Sequence, residues 1–305
     1  MERKDRIDAV GAFWLVSFSA LLGLNQVLVK VMNGALQPVF QAGLRSALAL
    51  PVVLILAYFL RSKLSIRDGS LPGGVLCGLL FAGEFILLFL ALDYTTVART
   101  SIFFYTMPFW VALAAHFLIP GERLTAIRSL GLALAMAGVV LALLDQSAPA
   151  SPYAFWGDIM CLIGAMMWAG IALSARLTNL SRSTPFMQLV YQLAVSAPVV
   201  LLVALFFGPL IREFQPHHAA IFSFQVIVIV SLGFAGWFWL LAKYPASDMA
   251  SFGFLAPVFG VLFGWLILQE PVGIRLVVAL TLVAVGIVLV NRKPKARAEV
   301  RKARA

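Results

Sequence analysis

Five polar residues interrupt otherwise apolar stretches in the first half of this chain: Asn25, Gln26, Arg45, Glu84 and Tyr105. Ionisable groups at membrane depth are expensive to place, so Arg45 and Glu84 are functional by default. The planar fork of donors on Arg45 suits a solute carboxylate. A carboxylate such as Glu84 in a low-dielectric setting suits proton carriage, which makes proton coupling an expected accompaniment. The competing reading is a permanent Arg45–Glu84 salt bridge that only locks helices together. In the second half of the chain Gln192 stands where Arg45 does, Trp237 where Glu84 does and Phe254 where Tyr105 does, with Gln188 and Tyr191 close by. That second set is neutral and aromatic. A solute spanning both sets would carry a charged or zwitterionic end and an apolar end, as a large apolar amino acid does.

Other chemistries lack their residues. No G-x-x-x-x-G-K-[ST] loop is present, so the chain does not hydrolyse ATP itself. No H-E-x-x-H or G-x-S-x-G motif supports an intramembrane enzyme. Two cysteines and three histidines, placed as they are, offer no zinc spacing, so neither metal nor cofactor is expected. Cys77 and Cys161 lie inside apolar runs as free thiols. Glu122 and Glu270 each precede a span, where an acid meets a helix N-terminus.

The elements that carry these residues follow from composition. Of 305 residues 62% are hydrophobic and only 12% charged, against about 25% charged in a soluble domain. Ten stretches are long enough to cross a bilayer: Ala9–Val29, Val39–Leu60, Gly73–Leu92, Thr100–Ile119, Ile127–Leu144, Phe155–Ala175, Phe186–Phe207, Ala219–Ala242, Met249–Leu268 and Ile274–Val290. Alternating the loops puts 18 basic residues on the side of the termini and 4 on the other, which predicts a cytoplasmic N- and C-terminus. The net charge of +10 is spread as loop charges and a basic tail at 292–305, a distribution that excludes nucleic acid.

The chain repeats itself. The segment from Phe81, FAGEFILLFLALDY, matches FAGWFWLLAKY from Phe234; Pro51, Pro108, Glu122 and Gly138 match Pro198, Pro257, Glu270 and Gly286. Two units of five spans result, at 9–145 and 153–291, and an odd count forces them into opposite orientations. The fold class expected is therefore all-α: a polytopic membrane protein of ten transmembrane helices in two inverted five-helix repeats. Prolines 51, 108, 198 and 257 fall mid-span, where a lost hydrogen bond favours a kink, and their pairing reads as hinges. Gly131, Ala135 and Gly138 allow close helix contact within the fold, or a homodimer through spans 5 and 10 in place of a monomer.

This pattern resembles the drug/metabolite transporter superfamily in its ten-helix exporter branch with two EamA-type domains. The resemblance rests on the five-plus-five layout, on Pro108 followed by Gly121-Glu122-Arg123-Leu124, on Pro257 followed by Gln269-Glu270-Pro271, and on Leu44-Arg45 in span two. The Trp-Gly common in the first span is replaced by Leu22-Gly23. The resemblance implies a carrier in the lipid bilayer of a bacterial-type inner membrane. It implies a cavity lined by spans 1–4 and 6–9, and export of amino acids, metabolites or drugs. The expectation is a secondary transporter that moves a small-molecule solute by alternating access, most plainly an amino-acid or metabolite exporter. An importer of a vitamin or nucleoside-like metabolite on the same fold is the alternative.

Overall fold

The computed structural model describes residues 7–120, 123–145, 151–244, 249 and 252–291. Glu122 and the basic tail lie outside them. The described residues form helices only, apart from one isolated bridge between Leu36 and Ile211. In chain order these are α1 (Ala9–Asn33), α2 (Pro38–Phe59), α3 (Leu71–Tyr94), α4 (Val97–Phe104), α5 (Met107–Leu118) and α6 (Ala126–Leu143). Then follow α7 (Ala154–Leu177), α8 (Pro185–Ala204), α9 (Pro216–Phe224), α10 (Gly233–Lys243), α11 (Leu255–Leu268) and α12 (Ile274–Val290). A π-helical segment, Gln225–Leu232, joins α9 to α10. With α4 and α5 taken together as Val97–Leu118, and α9, the π-helical segment and the start of α10 as Pro216–Trp237, eight helices among the described residues are long and apolar enough to cross a membrane; α11 and α12 are shorter apolar helices.

Local chemistry sets the helix starts. Pro38, Pro72, Pro185 and Pro216 occupy first turns, where a missing N–H is no loss. Asp8, Thr96 and Thr184 cap α1, α4 and α8 by accepting from the amides of Gly11 (2.8 Å), Arg99 (3.1 Å) and Met187 (3.2 Å). The fourth span is broken at Tyr105–Thr106. Pro108, second residue of α5, withholds the bond that would continue α4, and the Thr106 hydroxyl donates to the Phe103 carbonyl at 2.6 Å. Pro257 sits likewise near the start of α11. Pro51 and Pro198 lie inside the unbroken α2 and α8.

The two halves interlock through small residues. A Cβ on Gly131 of α6 would stand 2.9 Å from the Gly286 carbonyl of α12, and one on Gly286 would stand 2.7 Å from that of Gly131. Gly138 faces the Ala279 carbonyl in the same way, at 2.8 Å. Around this seam Ala135, Val139, Val283 and Ile287 are buried in one apolar cluster. Gly43 lets α2 close on Leu201 of α8, Gly78 lets α3 close on Val195, and Gly23 of α1 meets the backbone of Gly260 in α11. Side chains cannot be inserted at such crossings without separating the backbones.

One comparison between the halves breaks their likeness. Gly83 and Gly236 occupy the same place in the repeated Phe-Ala-Gly motif. A Cβ on Gly83 would lie 2.7 Å from the Met167 sulfur of α7, whereas one on Gly236 would meet no atom of the described residues within 4 Å. The third span is closed on its neighbour at that point, whereas Gly236 of its counterpart is exposed. Replacing Gly131 by Leu should force α6 and α12 apart and lower stability by about 1–3 kcal/mol. The check is the thermal midpoint in detergent, with Gly236→Leu, at the open position, expected to leave that midpoint in place.

Candidate functional site

Arg45 is the eighth residue of α2 and 4% exposed. Its guanidinium lies over the faces of Phe85 and Phe89 of α3, at 4.6 and 4.7 Å from the ring centroids. Such contacts contribute on the order of 0.5–2 kcal/mol each and hold the plane of the group. The edge of that plane carries five N–H donors. One is used, weakly: Nη1 donates to Asn25 Oδ1 of α1 at 3.4 Å. Glu84 of α3, also 4% exposed, is near enough for Coulombic coupling with Arg45, yet no carboxylate among the described residues lies within 4.0 Å of the guanidinium. Glu84 Oε2 is buried with no hydrogen-bond partner. The salt bridge that would satisfy both groups is not formed. Guanidinium and carboxyl group share one layer with unused donors and an unused acceptor.

The other sequence-predicted residues do not all join this layer. Gln26, next to Asn25, is turned by one residue of helix and accepts from Ser101 of α4 at 2.5 Å, beside Gly260. Tyr105 is buried against Phe104 and Trp168 at ring separations of 5.9 and 6.0 Å. Gln188 donates to the Leu180 carbonyl at 3.3 Å and so ties down the turn before α8. The Tyr191 hydroxyl pairs with Ser70 at 3.0 Å while its ring packs on Gly74. Gln192 donates to Cys77 Sγ at 3.5 Å. Phe254 packs against the cluster around Phe103 and Phe109. Trp237 stacks on Phe18 of α1 at 5.1 Å, and Phe18 lies about 10 Å along the helix from Asn25 toward the terminal end. The expected aromatic half-site is thus dispersed; Trp237 alone shares with Asn25 the α1 wall.

Sequence reasoning missed a second polar assembly. It sits at the end of the bundle opposite the chain termini, called here the far end. Arg99 of α4 donates from Nε to both carboxylate oxygens of Asp158 in α7, at 3.2 and 3.1 Å, and pairs with it again through Nη2. Its Nη1 donates to the Asp145 carbonyl at 2.6 Å. Glu270 was expected to serve the span that follows it. Instead its carboxylate accepts from the Val97 and Ala98 amides, at 2.8 and 3.0 Å, and so caps α4 in the other half of the chain. Lys30 of α1 stands 3.6 Å from the same carboxylate and donates to the Thr95 carbonyl. Arg212 pairs with Asp93 at 3.0 Å and donates to the Asn33 carbonyl at 2.7 Å. Each of these three ties joins one half of the chain to the other. Asp158 was discoverable by the rule that singled out Glu84, an ionisable side chain inside an apolar run; the partners of Glu270 carried no such mark.

Truncation of Arg45 tests the layer. Arg45→Met leaves Glu84 buried without its countercharge and should destabilise by about 3–5 kcal/mol. Adding Glu84→Gln should recover most of that loss, since the layer then holds no charge. Thermal midpoints of the two variants measure this, and equal midpoints would show the two groups to be uncoupled.

Comparison with known proteins places this architecture. The EamA-like transporter family model matches residues 9–144 and again 155–292. The chain is 27% identical over 277 residues to the uncharacterized transporter YoaV of Bacillus subtilis, covering 90% of this chain and 94% of that protein. It is 28% identical over 286 residues to a probable amino-acid metabolite efflux pump of Escherichia coli, covering 88% and 89%. A solved crystal structure superposes with a TM-score of 0.66 over 92% of this chain and 96% of its own, at 20% identity, a likeness of fold. Two matched units that together span nearly the whole chain, on an all-helical membrane fold, make this protein a member of the EamA-like transporter family.

Proposed function

We propose that this transporter is a secondary exporter of amino acids or related metabolites. It works by alternating access, in an inner or plasma membrane, with ten spans and both termini cytoplasmic. The observation that carries the reading is the Arg45 layer. Arg45 presents unused in-plane donors, and Glu84 presents an unpartnered oxygen beside it. A zwitterion supplies the two missing partners: its carboxylate for the guanidinium and its ammonium for Glu84. The Escherichia coli relative's name points the same way.

Alternating access is supported by a difference between the contacts that join the halves at the two ends. The far end is tied across the halves by Glu270, Arg99 and Arg212, and the terminal end is joined across them by hydrogen bonds, Tyr244 to Asp8 at 2.6 Å and Tyr191 with Ser70 at 3.0 Å. Two inverted copies of one unit supply two near-equivalent arrangements, of which this is one. The cytoplasmic termini follow from the 18-to-4 distribution of basic residues.

Counterflow in proteoliposomes tests the function. Vesicles are preloaded with unlabelled L-amino acids in turn and exposed to the same labelled solute. Wild type should accumulate label for at least one amino acid, and Arg45→Met/Glu84→Gln should lose at least tenfold of that rate while keeping its fold. The rate of a decarboxylated analogue should fall far less with the substitution. Equal loss for both solutes would show that Arg45 does not hold the carboxylate.

A further inference from the structure

The polar layer extends one turn along α2. Gln41 precedes Arg45 by four residues, so both side chains leave the same helix face about 6 Å apart. Gln41 Nε2 donates to Gln225 Oε1 at 3.5 Å, the long limit of a hydrogen bond. Both side chains are fully buried, and Gln41 Oε1 and Gln225 Nε2 have no partner. One acceptor and one donor are left over. Exchanging oxygen and nitrogen in both amides leaves the same remainder. Each orphaned group costs about 1–3 kcal/mol. Two leucines would fill the seam between α2 and the eighth span without that cost, so packing alone does not account for the amides.

The winding of the eighth span is a second, independent sign. Gln225 opens the π-helical segment Gln225–Leu232, within which the Ser231 hydroxyl donates to the Val226 carbonyl five residues back at 2.8 Å. Among the described residues no other span is wound this way. Such segments are rare and gather at functional sites, because the extra residue re-aims the side chains that follow and precede it. Here the widened turn begins at the residue that faces Gln41.

We propose that Gln41 and Gln225 form a second anchoring subsite, which reads an uncharged polar group on the solute. The inference rests on the reading of Arg45 as the carboxylate anchor. A primary amide offers one donor and one acceptor, the complement of what the two glutamines leave unused, and a hydroxyl offers the same pair on one atom. The spacing from Arg45 places that group on the solute's side chain. The solute class is therefore amino acids with amide or hydroxyl side chains, taken in preference to apolar ones of similar size. A site built to hydrogen-bond a polar group rejects the analogue that lacks it, because its own buried groups are then left unpaired.

The test uses counterflow with six probes: L-glutamine, L-asparagine and L-threonine against L-methionine, L-leucine and L-valine. Wild type should favour the first three over their size-matched counterparts. Gln41→Leu and Gln225→Leu should each shrink that ratio at least tenfold, chiefly by loss of the polar solutes. The double variant should melt no lower than wild type, since the orphaned amides are gone. Gln41→Asn, which keeps the amide and withdraws it by one methylene, serves if the leucine variants fail to fold, and should shrink the ratio as well. A wild-type preference for methionine and leucine, or variants that slow all six probes equally with a lowered thermal midpoint, would overturn the subsite and leave the Arg45 reading standing. Exchange of none of the six by wild type would overturn the subsite, and exchange of no L-amino acid at all would bring down both.

Discussion

A guanidinium buried among aromatic rings, with its countercharge in the same layer but not in contact, is the constraint around which this molecule is arranged. Removing a charge from water costs several kcal/mol even after relaxation. Arg45 recovers part of that from Phe85 and Phe89, part from Asn25 and part from the field of Glu84. A direct Arg45–Glu84 bridge would recover more, and it is absent. A layer built only to hold helices together would close that bridge; one that must take up and release a charged solute gains from leaving it open, because a fully satisfied pair would compete with the ligand for both partners.

The far end shows the opposite design. Asp158 is saturated by Arg99 and Thr95, and Glu270 by two backbone amides with Lys30 alongside. Carboxylates on the N-terminal amides of a helix are stabilised both by the hydrogen bonds and by the helix dipole. These ties cross between halves, so on the proposed reading they are what must part for the far end to open, and their number sets how strongly this arrangement is favoured. The sequence repeat gives Glu270 a twin in Glu122.

The fold was largely legible in the sequence, and the site only in part. Apolar runs and first-turn prolines locate the spans within a few residues, because bilayer thickness and the missing proline N–H act locally. The family followed from paired motifs such as Pro108 with Pro257. Asn25, Arg45 and Glu84 were found because charge and amide at membrane depth stand out against apolar neighbours. Their rotation about the helix axis was not readable: Gln26, one residue on, faces α4 and not Arg45. Gln41 and Gln225 are 184 positions apart, and nothing local to either announces a π-helical turn. Glu270 reads as a cap for the helix that follows it until the chain is folded, when α4 lies nearer. Long-range pairings of this kind are set by how helices pack, which glycine contacts such as Gly23 on Gly260 decide and periodicity does not.

The most direct measurement of the central claim, a polar solute site that opens alternately at the two ends, is a reversible lock on the far end. Cysteines at Glu270 and Val97 in a background with Cys77 and Cys161 replaced would place a disulfide where the carboxylate now caps α4. With the bridge formed, counterflow should stop, binding of the same solute from the terminal side should persist, and reduction should restore exchange. Undiminished counterflow through fully cross-linked protein would contradict the account.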